Sequence, residues 1–470
     1  MADFVLVIPR NRQRTMRVVT PPFVFLQLAA ALENEKFTSV LIDARVEKDF
    51  LYKIEQETKN KPLFIGITSM TGIQTFEGVK IAKFIKGRNK KIPVVWGGCH
   101  ATFCPEQLLN NKCADVAVIG EGESTVVSLA REYKSHNCII NEIRGIAVKE
   151  NGRIVKTESN NFLDLDSLPM PAWHLIKDKM KYYLSGNGLI SIMTSRGCPH
   201  NCFFCYNANM HKRMFRARSA QKVLEEIDFL HNQLGITRVS FCDDNFLTNR
   251  NRIIKICNGL KEKGHVTPVH CDVRADYIND ELLAFLANNG FKSFYLGIEH
   301  GSQKMLDLLN KGMKVEMIKN AITLLNQHTA GGHTYSFMIG LPEETKEDIV
   351  EAWSMMRWIS NVDPRGSIDL NIYTPYPGTE LINMLIKKGY KIPDNLSKWN
   401  KYHWNSTRGK GWIKNKRLVR SLLAIFRLTF TYLNNKLTRF LSHYARKVFL
   451  AGEFRPYLKF EFLYFLFREF

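Results

Sequence analysis

Along the first 135 residues, short runs of apolar residues alternate with segments in which apolar positions return every three or four residues. The runs at 4–8, 39–43, 63–69, 92–98 and 116–120 predict β-strands, and the segments 22–36, 74–86 and 121–133 predict amphipathic helices between them. A strand that is apolar at nearly every position has both faces covered. In an alternating strand and helix series this means a parallel sheet with helices on each side. Residues 1–135 are therefore expected to form a doubly wound, Rossmann-like α/β domain. A ligand on such a sheet binds beyond the carboxyl ends of the strands, where this chain carries loops containing Thr68, Ser69, Gly97, Gly98, His100, Gly120 and Glu121.

The alternation stops after residue 135. Segments 143–148 and 153–157 flank Glu150-Asn151-Gly152, a hairpin turn signal, and Leu168-Pro169-Met170-Pro171 reads as an extended connector. Residues 136–188 are expected to be a hairpin and linker. A second series then places strands at 189–194, 238–243, 268–274, 293–299, 334–341 and 368–375, with helices such as 221–233, 280–288, 315–327 and 346–359 between them. Six such units across 189–385 predict a partial (β/α)6 barrel, an architecture that gathers its chemistry at the carboxyl ends of the strands. Residues 386–470 read as a mainly helical C-terminal region, with apolar residues recurring at Leu418, Leu422, Phe426, Phe430, Leu433, Leu437, Leu441, Tyr444 and Val448. Lysines and arginines lie opposite that stripe. It fits an interfacial helix resting on anionic lipid, and it fits equally a helix packed over the barrel mouth.

Composition narrows these readings only modestly. A chain of 470 residues with 45% hydrophobic and 24% charged residues is neither a small disulfide-stapled module nor a disordered chain. Its formal charge of +21 attracts anions of some kind, and +9 of it falls within residues 414–470. No apolar stretch reaches the roughly 18 residues of a membrane span, and the N-terminal run reads as a strand, not a signal peptide. The cysteines change the picture more. Three of the ten lie within eight residues, as Cys198, Cys202 and Cys205, just after the first barrel strand. Such clustering in a chain without an export signal points to a metal site in a reducing cytoplasm. Three thiolates are one short of a structural zinc set, whereas on a 4Fe–4S cluster they leave one iron open to an exchangeable ligand. A zinc site completed by His200 or His211 is the competing reading.

Around the cysteines the chain resembles the radical S-adenosylmethionine (SAM) superfamily. Thr194-Ser195-Arg196-Gly197-Cys198-Pro199 leads into the cluster loop, and Phe204 is the aromatic before its last cysteine. Phe241-Cys242-Asp243-Asp244-Asn245-Phe246, Tyr295-Leu296-Gly297-Ile298-Glu299-His300-Gly301-Ser302-Gln303, Phe337-Met338-Ile339-Gly340-Leu341-Pro342-Glu343-Glu344-Thr345 and Tyr373-Thr374-Pro375-Tyr376-Pro377-Gly378-Thr379-Glu380 resemble segments at later strand ends of the family. Glu343 stands where the family usually has a second glycine. Over the first domain, Val95-Trp96-Gly97-Gly98-Cys99-His100-Ala101-Thr102 and Gly120-Glu121-Gly122-Glu123 resemble the cobalamin-binding domain of one branch, without the Asp-x-His-x-x-Gly motif that supplies an axial histidine.

The resemblance implies a 4Fe–4S cluster on Cys198, Cys202 and Cys205, with SAM contacted from among Phe204, Asp243, Asp244, Arg274, Glu299 and Ser302. Glu299 is the residue expected to meet the ribose, and Arg274 could face the methionine carboxylate. Cobalamin is expected on Thr68, Ser69, Gly97, Gly98, His100, Gly120 and Glu121, with no histidine bound to cobalt. The implied activity is methyl transfer to an unactivated carbon, through a 5′-deoxyadenosyl radical and methylcobalamin. A cyclising, ring-rearranging or oxidising reaction of the same branch is the alternative. A small-molecule or lipid-like substrate and an electron donor such as flavodoxin or ferredoxin follow. Nucleic acid is not expected, because no recognition motif or second cluster motif accompanies the charge. The protein is expected in the cytoplasm, with the basic C-terminal region as a possible peripheral membrane contact.

Overall fold

In the computed structural model, residues 2–11, 19–135, 142–185, 188–402 and 406–430 are described. The first sheet contains β1 (Phe4–Ile8), β2 (Ser39–Asp43), β3 (Phe64–Thr68), β4 (Val94–Gly97) and β5 (Val116–Val118) in the order β2-β1-β3-β4-β5, all parallel. Every residue of β1 is buried, as its unbroken apolar run requires when helices cover both faces. The hairpin forms as β6 (Ile146–Glu150) and β7 (Arg153–Lys156), and β6 pairs antiparallel with β5. It therefore extends the first sheet to seven strands.

The second sheet contains β8 (Leu189–Ile192), β11 (Arg238–Phe241), β12 (Thr267–Val273), β13 (Ser293–Glu299), β14 (Thr334–Ile339) and β15 (Ser367–Ile372). They lie in sequential parallel order, with β8 and β15 at the two edges, so the barrel is open. A short antiparallel ribbon, β9 (Ser195–Arg196) with β10 (Arg216–Ala217), brackets the cysteine loop. Alternation with period two sorts the barrel strands: Phe294, Leu296, Phe337, Ile339, Leu370 and Ile372 are buried under the helices. Their neighbours Tyr295, Ser336, Asp369 and Asn371 are only partly buried. Helix starts are set by local chemistry, as at helix Lys346–Val362, where Thr345 and Asp348 form a reciprocal capping box.

One hydrophobic core runs from the helix Phe23–Asn34 through Trp173, Ile176 and Tyr183 into the barrel. Trp173 is fully buried and donates Nε1–H to Glu226 on helix Ala220–Leu234 at 2.8 Å, so the connector is a packed element shared by both sheets.

The chain beyond the barrel returns to both units. Trp399 donates to Gln107 of the first domain (2.8 Å), and Trp412 donates to the Gly340 carbonyl at the end of β14 (3.0 Å). Helix Lys416–Phe430 packs against edge strand β15, burying Leu418, Val419, Leu422, Leu423 and Phe426, with Phe426 edge-on to Trp353. For this part of the C-terminal stripe the packed arrangement is the one formed. The remainder of the stripe lies outside the described residues. No helix among the described residues is long and apolar enough to cross a membrane.

Candidate active site at the junction of the two sheets

The carboxyl ends of the two sheets meet. Glu121, just past β5, lies within 3.1 Å of Arg196 and also pairs with Arg216 and His211, all three flanking the cysteine loop. Glu123 takes the other arm of Arg196 at 2.6 Å. Burial opposes charge on Glu121, but hydrogen bonds from His211 and Arg216 and the charge of Arg196 hold its carboxyl down to about 2. Close by, Cys99 past β4 hydrogen-bonds Tyr206, the residue after Cys205, and the Phe103 ring lies against Gly378 beyond β15. These contacts place the ligand-binding edge of the first sheet directly over the cysteine loop.

That loop is held by carboxylates. Asp243 is buried and accepts from Thr194 N (2.5 Å), Thr194 Oγ1 (2.5 Å) and Ser195 N (3.1 Å). Asp244 accepts from Gly197 N at 2.9 Å and from the Asn207 side chain. Gly197 itself has φ +80°, and a Cβ there would come within 2.2 Å of the Met214 carbonyl, so only glycine lets the chain turn into Cys198. Asp243 and Asp244, expected among the SAM contacts, thus bind the backbone just before Cys198 and the side chains of Thr194 and Asn207. Ser302 is also buried and donates to Asp348 at 2.8 Å.

Glu299 adopts φ +70°, a strained conformation for a residue with a side chain, and its carboxylate accepts from Lys311 Nζ at 2.8 Å. A Cβ on Gly297 would sit 2.8 Å from that carboxylate and 3.2 Å from Lys311 Nζ, so the glycine clears the space the pair occupies. Lys311 also lies 5.8 Å from the Phe204 ring centroid. The structure thus brings Glu299, Lys311 and Phe204 together beside the cysteines. Arg274 pairs with Asp276 and reaches Cys202 Sγ at 3.3 Å, not Glu299.

The donor set fits a 4Fe–4S cluster. Burial pushes the Cys198 thiol up and the Cys205 thiol up to about 12, so the loop needs the positive charge of iron to hold them as thiolates. The two histidines of the competing zinc reading face other groups. His200 Nε2 faces Tyr277 OH at 3.1 Å and His211 faces Glu121.

In the first domain the expected residues divide. Apart from the flanking residues, no heavy atom lies within 4 Å of where a Cβ would stand on Gly97 or Gly120, so the chain is open at these two positions beyond β4 and β5. A Cβ on Gly98 would instead stand 2.7 Å from the Ser69 carbonyl and 3.2 Å from Thr68 Oγ1, at φ +91°. Ser69 donates its hydroxyl to the Gly97 carbonyl (2.9 Å), so Thr68, Ser69 and Gly98 lock the two loops to each other. His100 is fully buried, 3.0 Å from Thr71 Oγ1 and edge-on to Trp399, and burial lowers its pKa to about 4. It is a neutral histidine within the core, and Glu121 is engaged in the ion pairs described above.

Residues 192–355 match the radical SAM superfamily, and residues 14–130 match the B12 binding domain. An uncharacterized methyltransferase of Pyrococcus horikoshii is 31% identical over 406 residues, spanning 85% of each chain. The chain belongs to the cobalamin-binding radical SAM family. Membership carries a 4Fe–4S cluster, SAM and cobalamin as cofactors. The anaerobic magnesium-protoporphyrin IX monomethyl ester cyclase of Cereibacter sphaeroides is 30% identical, covering 78% of this chain and 60% of its own. The same fold appears in the cobalamin-dependent SAM radical enzyme OxsB with aqua-cobalamin bound, at TM-score 0.74 and 18% identity, over 96% of this chain and 72% of that one.

Arg216 and Lys311 were not legible as site residues, and neither were the ion-pair roles of Arg196 and His211 or the Cys99–Tyr206 contact. Only the motif positions next to some of them offered a signal.

Proposed function

We propose that this protein is a cobalamin-dependent radical SAM methyltransferase acting on an unactivated carbon of a small molecule. The observation that carries the reading is the junction itself: the open glycine edge at Gly97 and Gly120 is fastened over the cysteine loop by Glu121, Arg196, Arg216 and His211. A methyl carrier on the first sheet would face the place where the radical arises. Cys198, Cys202 and Cys205 hold the cluster, and Gly97 and Gly120 leave room for the corrin. Glu299, poised by Lys311, accepts from the ribose hydroxyls of SAM, with Phe204 beside it. When bound, the cluster supplies the electron that cleaves SAM and cobalamin supplies the methyl carrier. The chain's own task is to orient these partners and keep water out, which the packed segments around Trp399 and Trp412 serve. An electron donor of the flavodoxin or ferredoxin kind meets the need for reductant.

Anaerobic turnover of the reconstituted full chain with SAM and reductant should yield both S-adenosylhomocysteine and 5′-deoxyadenosine. Sustained formation of 5′-deoxyadenosine alone would replace methyl transfer by the cyclising or oxidising alternative, which the likeness to the magnesium-protoporphyrin cyclase favours.

A further inference from the structure

Arg274 lies one residue past β12 and is 6% exposed. A guanidinium has five N–H donors in a rigid plane, and four of them are engaged. Nε donates to Asp276 Oδ1 at 3.0 Å, and Nη2 donates to Asp276 Oδ2 and to the Lys311 carbonyl, each at 2.9 Å. With the plane fixed on that side, Nη1 donates to Cys202 Sγ at 3.3 Å. A two-pronged grip on the SAM carboxylate, the role the motif position suggested, would need donors that are already spent.

We propose that Arg274 is a positioning residue that sets the reduction potential of the cluster through its hydrogen bond to the Cys202 sulfur. The inference rests on the reading that the three cysteines hold a 4Fe–4S cluster. Reduction adds one electron to the cluster and its thiolates, so a buried N–H donor carrying positive charge stabilises the reduced form more than the oxidised form. Low exposure keeps solvent from screening the effect. Asp276 works in the opposite sense: it orients the guanidinium and also cancels part of its charge. His200, 3.8 Å from the same carboxylate, approaches from the cysteine loop.

The two residues predict shifts of opposite sign. In a redox titration of the anaerobically reconstituted full chain, followed by electron paramagnetic resonance without SAM, Arg274→Gln should have a more negative midpoint than wild type at equal iron and sulfide content. Arg274→Lys, which keeps the charge but loses the planar fork, should shift the same way by less, and Asp276→Asn should shift the midpoint upward. A midpoint for Arg274→Gln equal to or above wild type overturns the proposal. So does an unmoved midpoint combined with weakened SAM binding, which would return Arg274 to the SAM carboxylate. Should Arg274→Gln fail to assemble its cluster, the other two variants decide: opposite shifts support the proposal, and no shift in either overturns it. A wild-type chain that takes up no cluster would sink the underlying assignment instead, a separate outcome.

Discussion

The two sheets bring their carboxyl ends to one junction but build their halves of it from different materials. The first sheet offers backbone and space: Gly97 and Gly120 are open, and the nearby polar groups of Ser69, Gly98 and His100 are turned inward to hold the loops. The second sheet offers side chains: three cysteines, two aspartates clamping the backbone beside them, and an arginine locked against one sulfur. A cradle of backbone suits a large ligand held by shape, whereas a cluster held by covalent bonds needs fixed sulfur positions. The two halves should therefore fail differently when altered.

The largest effect falls on the side-chain half. Replacing Cys202 by alanine removes one of three ligands from a set with no spare, so the variant should lose its iron and the cluster's share of the visible absorbance and form neither S-adenosylhomocysteine nor 5′-deoxyadenosine in sustained turnover. Retention of wild-type iron content would break the assignment of that cysteine. The backbone half should separate binding from folding. Gly97→Leu places its side chain in open space, so corrin retention after reconstitution with hydroxocobalamin should fall while thermal stability stays near wild type. Gly98→Leu, one residue on, meets the Ser69 carbonyl at a positive φ and should cost about 1–3 kcal/mol of folding stability. If the two glycine variants behaved alike, the division of roles between them would be wrong.

Those adjacent glycines also mark how far the sequence could be read. Both sit in one motif and carry the same letter, and only the position of a missing Cβ tells which faces the ligand. What was legible depended on local pattern: each strand run, each helix period and the cysteine spacing lies within a short stretch of chain, and the open barrel follows from their repeated alternation. The attachment of the hairpin to β5, the burial of His100 under Trp399 and the packing of helix Lys416–Phe430 on β15 depend on partners far along the chain. An amphipathic stripe shows that a face will be covered, but the cover is a tertiary fact. The aspartate pair shows the converse. Both residues stand beside the cysteine loop, yet their carboxylates accept from three backbone N–H groups that no side-chain pattern reveals.

Glu121 is the sharpest case, because its partners lie 75 to 95 residues away and it joins the two halves. Its carboxyl sits near 2 instead of 4.5, so the unfolded chain takes up a proton there before the folded one does. The stabilisation from this group is therefore complete above about pH 4.5 and is lost as the pH falls toward 2. Glu121→Gln removes the charge and leaves Arg196 with Glu123 and Arg216 with the Leu163 carbonyl, which should cost about 3 kcal/mol in denaturant unfolding near neutral pH. The difference between variant and wild type should narrow steadily when the same measurement is repeated from pH 4.5 downward, because protonation gives the wild type the same neutral side chain. A difference that stayed constant across that range would mean that Glu121 acts by packing and not by charge. The two halves would then be held together mainly by the apolar core through Trp173, and the ion set would only fix their register.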